Sequence, residues 1–212
     1  MSTLFLTSGG LRFKPVADEF LKLIPKKPSE IRMAHIITAS KMARHLTYLE
    51  EDTEAFKKLG IPYEDIDIEG KTEEELRQLL KDFDVIYVQG GDPYYLLKHI
   101  KLSGFDTVVK ELIAVGKLYV GASAGSYVAC PTLESTVWKK PNRARHNLRD
   151  DEPAMNLVSF LLLVHYEEQH KDIVKNGISH TTYPVRILTN NQALIVKDGN
   201  VVLAGSGPEV HL

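Results

Sequence analysis

Three short apolar runs in this chain each end at glycine, and that arrangement restricts the fold more than any other feature. Leu4-Phe5-Leu6 runs toward Gly9-Gly10, Val85-Ile86-Tyr87-Val88 toward Gly90-Gly91, and Leu118-Tyr119-Val120 into Gly121-Ala122-Ser123-Ala124-Gly125. Apolar runs without polar alternation are strands buried on both faces. Amphipathic stretches lie between them. The segment Met42 to Leu59 carries Leu46, Leu49, Phe56 and Leu59 at helical spacing and stops at Gly60 and Pro62. Thr72 with Glu75 three residues on is a capping-box pattern opening a helix to about Lys81, and Asp92-Pro93 is an N-cap followed by proline at the first helical position. Further strands are expected at Met33 to Ile37 and, more weakly, at Tyr63 to Ile68. Strand and helix in alternation imply right-handed crossovers and a mainly parallel sheet with helices on both faces, a three-layer α/β sandwich. Ligands bind such sheets outside the carboxyl ends of the strands. The two glycine pairs and the Ser123 corner should therefore meet on one edge.

The last third reads differently. Thr132 to Trp138 is expected as a strand or hairpin, and Lys139 to Pro153 as a polar loop. Leu157 to Val164 reads as a strongly apolar strand ending at His165. Val185 to Leu188, Ala193 to Lys197 and Val201 to Ala204 read as a closing meander with a hairpin turn at Asp198-Gly199. No repeat or linker interrupts the chain, and 212 residues suit one domain, residues 1–212.

Composition narrows the function classes. A net charge of −2 gives no reason to expect nucleic acid or an anionic membrane as partner. The single cysteine, Cys130, permits no internal disulfide, and its place one helical turn beyond the corner suits a small buried residue. The first ten residues lack the pattern of a signal peptide, and no stretch is apolar enough to span a bilayer. A cytoplasmic location is the expectation. No His or carboxylate group has metal-ligand spacing and no cofactor fingerprint is present, so neither a metal nor a cofactor is expected.

Gly121-Ala122-Ser123-Ala124-Gly125 after a buried strand has the form of a nucleophile elbow, whose tight turn lifts a serine hydroxyl clear of the sheet. The bland alternative is an ordinary corner packed with small residues. The helix that follows should aim N–H groups and a partial positive charge at that hydroxyl. A serine needs a base within hydrogen-bond reach, and the base needs a third group to orient it. Of eight histidines, His165 emerges at the carboxyl end of a buried run, on the edge where the corner is expected. His35 falls in a strand, His45 and His99 on helices, His146, His170 and His180 in polar surroundings, and His211 almost at the terminus. The oxyanion formed by attack of Ser123 requires two fixed donors. The N–H of Ala124 is one, and Gly90 or Gly91, with no side chain in the way, is the other. Chain order argues against the α/β-hydrolases, in which acid and then histidine follow the serine in a larger sheet.

The motifs Val88-Gln89-Gly90-Gly91-Asp92-Pro93-Tyr94-Tyr95-Leu96, Gly121-Ala122-Ser123-Ala124-Gly125 and Val164-His165-Tyr166 together resemble those of the peptidase E and cyanophycinase family of serine peptidases. The resemblance runs from the first strand through Thr189 to Leu194. It implies an αβα sandwich akin to class I glutamine amidotransferases and a hydrolase that cleaves next to aspartyl residues through an acyl-enzyme. It also implies Ser123 as nucleophile, His165 as base, and Gly91 with Ala124 as oxyanion donors. In that family a late glutamate orients the histidine, and matching the flanking leucines puts Asn190 in its place. An asparagine can accept the imidazole N–H and fix the tautomer, but it cannot stabilise imidazolium as a carboxylate does. Three readings stay open here: a weaker Ser123-His165-Asn190 triad, a substitute carboxylate at Glu167 or Glu168, or a silent member that binds a small peptide or amino acid. An amidotransferase-like hydrolase with serine in place of cysteine is weaker still. An acidic substrate side chain calls for a cation, with Arg143, Arg145, Lys171 and Arg186 available. The expected partner is a small peptide, and a sheet with an exposed edge also allows a homodimer.

Overall fold

A computed structural model describes residues 2–43 and 45–212. Its main sheet has seven strands: β1 (Thr3–Thr7), β2 (Met33–Ile36), β3 (Tyr63–Ile66), β4 (Val85–Val88), β5 (Leu118–Ala122), β8 (Gln192–Lys197) and β9 (Asn200–Gly205). They lie in the order β3-β2-β4-β5-β1-β8-β9. The first five are parallel, whereas β8 and β9 form an antiparallel hairpin laid against β1. Two parallel strands, β6 (Leu161–Leu163) and β7 (Val185–Ile187), make a separate small sheet.

Strand side chains alternate between two cores, which is why the runs are apolar without interruption. Leu4, Leu6, Ile86 and Val88 face a core shared with α3 (Glu73–Leu80), α4 (Pro93–Ser103), α5 (Phe105–Ala114) and α6 (Ala124–Tyr127). Phe5, Val85, Tyr87 and Val120 face the opposite core, closed by Val16 and Phe20 of α1 (Lys14–Leu23) and Phe56 of α2 (Thr47–Lys58). The result is a helix-sheet-helix sandwich. Behind it, α7 (Ser135–Trp138) and α8 (Lys171–Ser179) pack on the small sheet, with Trp138 against Gly177.

Local signals hold where the chemistry is local. Thr72 and Glu75 form the reciprocal capping box, and Asp92 accepts from the N–H groups of Tyr94 and Tyr95 ahead of Pro93. Four expectations need correction. The helix expected from Met42 begins at Thr47. Met42 ends a short 3-10 turn, Thr38–Met42, His45 precedes the helix, and Arg44 lies outside the described residues. Thr132 to Trp138 is not a hairpin: Thr132 makes an isolated bridge to Pro153, and Ser135–Trp138 is helical, its Ser135 hydroxyl donating to the Leu162 carbonyl. The run Leu157 to Val164 yields only three strand residues, because Leu157 and Val158 instead bond to the Ala129 carbonyl. The closing meander is divided, since β7 pairs with β6 and only β8 and β9 share a hairpin. No helix among the described residues is long and apolar enough to cross a membrane.

Candidate active site

Ser123 sits between the end of β5 and the start of α6 with φ 49° and ψ −101°. A non-glycine residue held there carries roughly 1–3 kcal/mol of strain, so its surroundings must fix it. They do so through small residues. A Cβ on Gly125 would collide with the Val88 carbonyl, and one on Gly121 would come 2.7 Å from the Gly125 backbone. The Ser126 hydroxyl donates to the carbonyl of Gly121 or of Thr7, each 2.8 Å away, and the Ser123 N–H donates to the Thr7 carbonyl at 3.1 Å. Tyr119, fully buried, donates to the Gly125 carbonyl. The corner is thus bolted to β1 and β4 by its own backbone. The helix behind it is shorter than the sequence suggests. Four residues make little macrodipole, so most of the expected partial charge at Ser123 reduces to the individual N–H groups of the turn.

The Ser123 and His165 side chains meet. The Ser123 hydroxyl and His165 Nε2 are 2.8 Å apart, and His165 Nδ1 is 2.6 Å from Asn190 Oδ1. With Nδ1–H donating to that amide oxygen, Nε2 is left as the acceptor for the Ser123 proton. His165 is half-buried and itself has a left-handed φ of 55°, held by its N–H donating to the Ser8 hydroxyl at 2.8 Å. Ser8 is a site residue that sequence reasoning passed over; the only signal was its position before Gly9-Gly10 at a strand end. Asn190 projects from the exposed turn between β7 and β8, where Thr189 N–H donates to Gln192 Oε1. Glu167 and Glu168 do not reach the imidazole. Glu167 accepts from Gln169, and Glu168 from Tyr166 and Lys171.

Burial pushes the His165 imidazole down to about 4, the Asn190 oxygen partly opposing, with Lys139, Arg12 and Lys140 adding to the depression. The ring is therefore neutral at pH 7 and able to take a proton. Gly90 lies beside the hydroxyl, since a Cβ there would be 3.2 Å from Ser123 Cβ. Gly91 has φ 144°, and a Cβ on it would run into the Ala39 carbonyl. The N–H groups of Gly91 and Ala124 have no backbone partner among the described residues.

Two clefts share Ser123, Gly91 and His165. One, about 220 Å³, is lined by Arg12, Tyr48, Asp52 and Gln89. Asp52 is fully buried at its base and accepts from Arg12 N–H, the Tyr87 hydroxyl and Gln89 Nε2; burial raises its carboxyl. The other, about 330 Å³, is basic, with Lys139, Lys140, Arg143 and His170 set against Glu167. Of the cations named from sequence, Arg143 lines this cleft. Arg145 is paired with Asp150, Lys171 with Glu168 and Arg186 with Glu209, and none of these three lines either cleft. Among the described residues, no group of three or more His, Cys, Asp or Glu side chains is placed to hold a metal ion.

The family model for peptidase family S51 matches residues 4–204. The chain belongs to that family. An uncharacterized peptidase of Listeria innocua is 31% identical over 95% of this chain and 96% of its own length. Peptidase E of Shewanella baltica is 32% identical over a shorter stretch, 50% of this chain and 44% of that protein. A crystal structure of a candidate peptidase E from Listeria monocytogenes superimposes with a TM-score of 0.83 at 29% identity, covering 98% of this chain and all of the other. The resemblance to peptidase E read from the motifs is thereby established at the level of family and fold, and the chain is a peptidase by family.

Proposed function

We propose that this protein is a serine peptidase that hydrolyses small peptides through an acyl-enzyme on Ser123. The observation that carries the reading is the hydrogen-bonded run from the Ser123 hydroxyl through His165 to Asn190. In the first step His165 Nε2 takes the hydroxyl proton as Oγ bonds to the scissile carbonyl carbon. The Gly91 and Ala124 N–H groups, with Gly90 leaving room, receive the oxyanion. His165 then returns the proton to the leaving amine, and water repeats the sequence to free the acid and restore Ser123. Asn190 keeps the imidazole in the useful tautomer without lending it charge.

The basic cleft supports a substrate with an acidic side chain. Arg143 Nε and His170 Nδ1 are buried there without a partner among the described residues, and Lys140 adds a third positive or protonatable group. A buried donor nitrogen without an acceptor is costly, and a substrate carboxylate in the cleft would supply one. The lone buried Cys130 fits a reducing compartment such as the cytoplasm.

The reading is tested by comparing hydrolysis of aspartyl and lysyl p-nitroanilides. The aspartyl substrate should be cleaved faster, Ser123→Ala should abolish turnover, and Arg143→Glu should raise KM for the aspartyl substrate at least tenfold. Undiminished hydrolysis by Ser123→Ala would remove the serine mechanism. Binding of a peptide by wild-type protein that cleaves none would favour the silent binder instead.

A further inference from the structure

Lys139 is not used in the mechanism above, yet it sits against its base. It follows α7, lines the basic cleft, and is half-buried. Its ammonium donates to the carbonyl oxygens of Val164 and His165, each at 2.7 Å. The Val164 carbonyl shares its peptide unit with the His165 N–H held by Ser8, and the His165 carbonyl belongs to the next unit, where the chain leaves β6 in a left-handed turn. A left-handed turn at a non-glycine residue does not persist unless its neighbours enforce it. Ser8 supplies one constraint from β1 and Lys139 two from the α7 side. Sequence gave no hint of this, because a lysine at the head of a charged loop reads as solvated surface.

We propose that Lys139 is a positioning residue for His165: its ammonium clamps the two carbonyls that turn the imidazole toward Ser123 and keeps a fixed positive charge beside the ring. The inference rests on His165 acting as the base, but its structural half does not depend on turnover. Each part has a consequence. Without the clamp the backbone at residue 165 can relax toward ordinary φ, carrying Nε2 away from the hydroxyl. Without the charge the ring is easier to protonate. The charged and titratable groups around the ring are Arg12 from the β1–α1 loop with Tyr48 and Asp52 of α2 across the first cleft, and Lys139, Lys140, Arg143, Glu167 and His170 in the second. Lys139 itself faces Lys140, Arg143 and Glu167, and burial lowers it to about 8. It is therefore largely charged at pH 7 and is the cation bonded to the His165 backbone itself. Asn190 and Ser123, the ring's own partners, are neutral, so nothing bonded to the imidazole offsets this cation.

Three variants separate the clamp from the charge. Lys139→Met removes both, Lys139→Gln keeps an N–H donor without charge, and Lys139→Arg keeps charge and donors. Two readouts apply to the folded proteins: the His165 titration midpoint by imidazole 15N chemical shift, and the rate of Ser123 phosphonylation by a fluorophosphonate at pH 7. The midpoint should rise by about one pH unit in Lys139→Met and Lys139→Gln and stay within a few tenths in Lys139→Arg. Phosphonylation should slow at least tenfold in Lys139→Met. If Lys139→Met does not fold, the midpoint in Lys139→Gln decides the matter. A midpoint and rate unchanged in both neutral variants would overturn the proposal. Wild-type protein that titrates as expected yet is never phosphonylated would instead count against the serine mechanism and leave the charge effect standing.

Discussion

Asn190→Asp is the substitution that most sharply examines how the imidazole is held. It is nearly isosteric and lies on an exposed turn, so it should leave the fold unchanged. It places a negative charge 2.6 Å from Nδ1, where an uncharged amide oxygen now accepts. An opposite charge at such a distance raises a histidine by about 1–3 units, and exposure of the Asn190 side points to the lower end, about 1–2 units. Starting from about 4, the midpoint should reach roughly 5–6. The same interaction, about 1.4–2.7 kcal/mol, would stabilise the imidazolium of the proposed attack by Ser123. If all of it is expressed in the transition state, phosphonylation at pH 7 should accelerate by about tenfold to a hundredfold. The assay is the rate of Ser123 phosphonylation from pH 3.5 to 9 for wild type and variant. The acid limb should move upward while the plateau rises. A limb that stays put, or a plateau that falls more than tenfold, would refute the argument that Asn190 holds the ring through Nδ1.

Other outcomes follow from the same geometry. Gly125→Ala drives a methyl into the Val88 carbonyl at the buried corner and should lower the unfolding free energy measured by urea titration by several kcal/mol or prevent folding altogether. Cys130, fully buried and pushed up to about 12 by desolvation, should react with a thiol reagent only after denaturant is added; rapid reaction of native protein would contradict its placement. Stability should depend on pH through His165. Its folded value lies below the unfolded one, so between about 6.5 and about 4 the unfolded chain binds the proton first and native stability falls as pH falls. His165→Gln should flatten that part of the stability profile, measured by chemical denaturation; an unaltered slope would show that the ring is not desolvated.

What could be read in advance was set by short-range chemistry. The elbow, the Asp92 cap and the Thr72 capping box depend on residues a few positions apart, and they stand where expected. The convergence of Ser123 and His165 was legible because both leave the carboxyl ends of buried strands. Partners chosen by tertiary contact were not. Nothing in Val185-Arg186-Ile187 signals that it pairs with Leu161–Leu163 instead of its sequence neighbours. The β-branched residues Thr132, Thr136 and Val137 favour strand, yet packing on the small sheet makes Ser135–Trp138 helical. The buried Asp52 shares a face of α2 with Phe56, and a charged residue on an apolar stripe was the one available hint of the Arg12-Tyr87-Gln89 network.

The proposed reaction requires that one hydroxyl be activated by one imidazole. Exposing the native protein to a fluorophosphonate and locating the adduct by peptide mass spectrometry tests it most directly. A single adduct on Ser123, missing in Ser123→Ala and strongly slowed in His165→Ala, is the result predicted here. Folded wild-type protein that remains unmodified, or carries the adduct on a different residue, would contradict it.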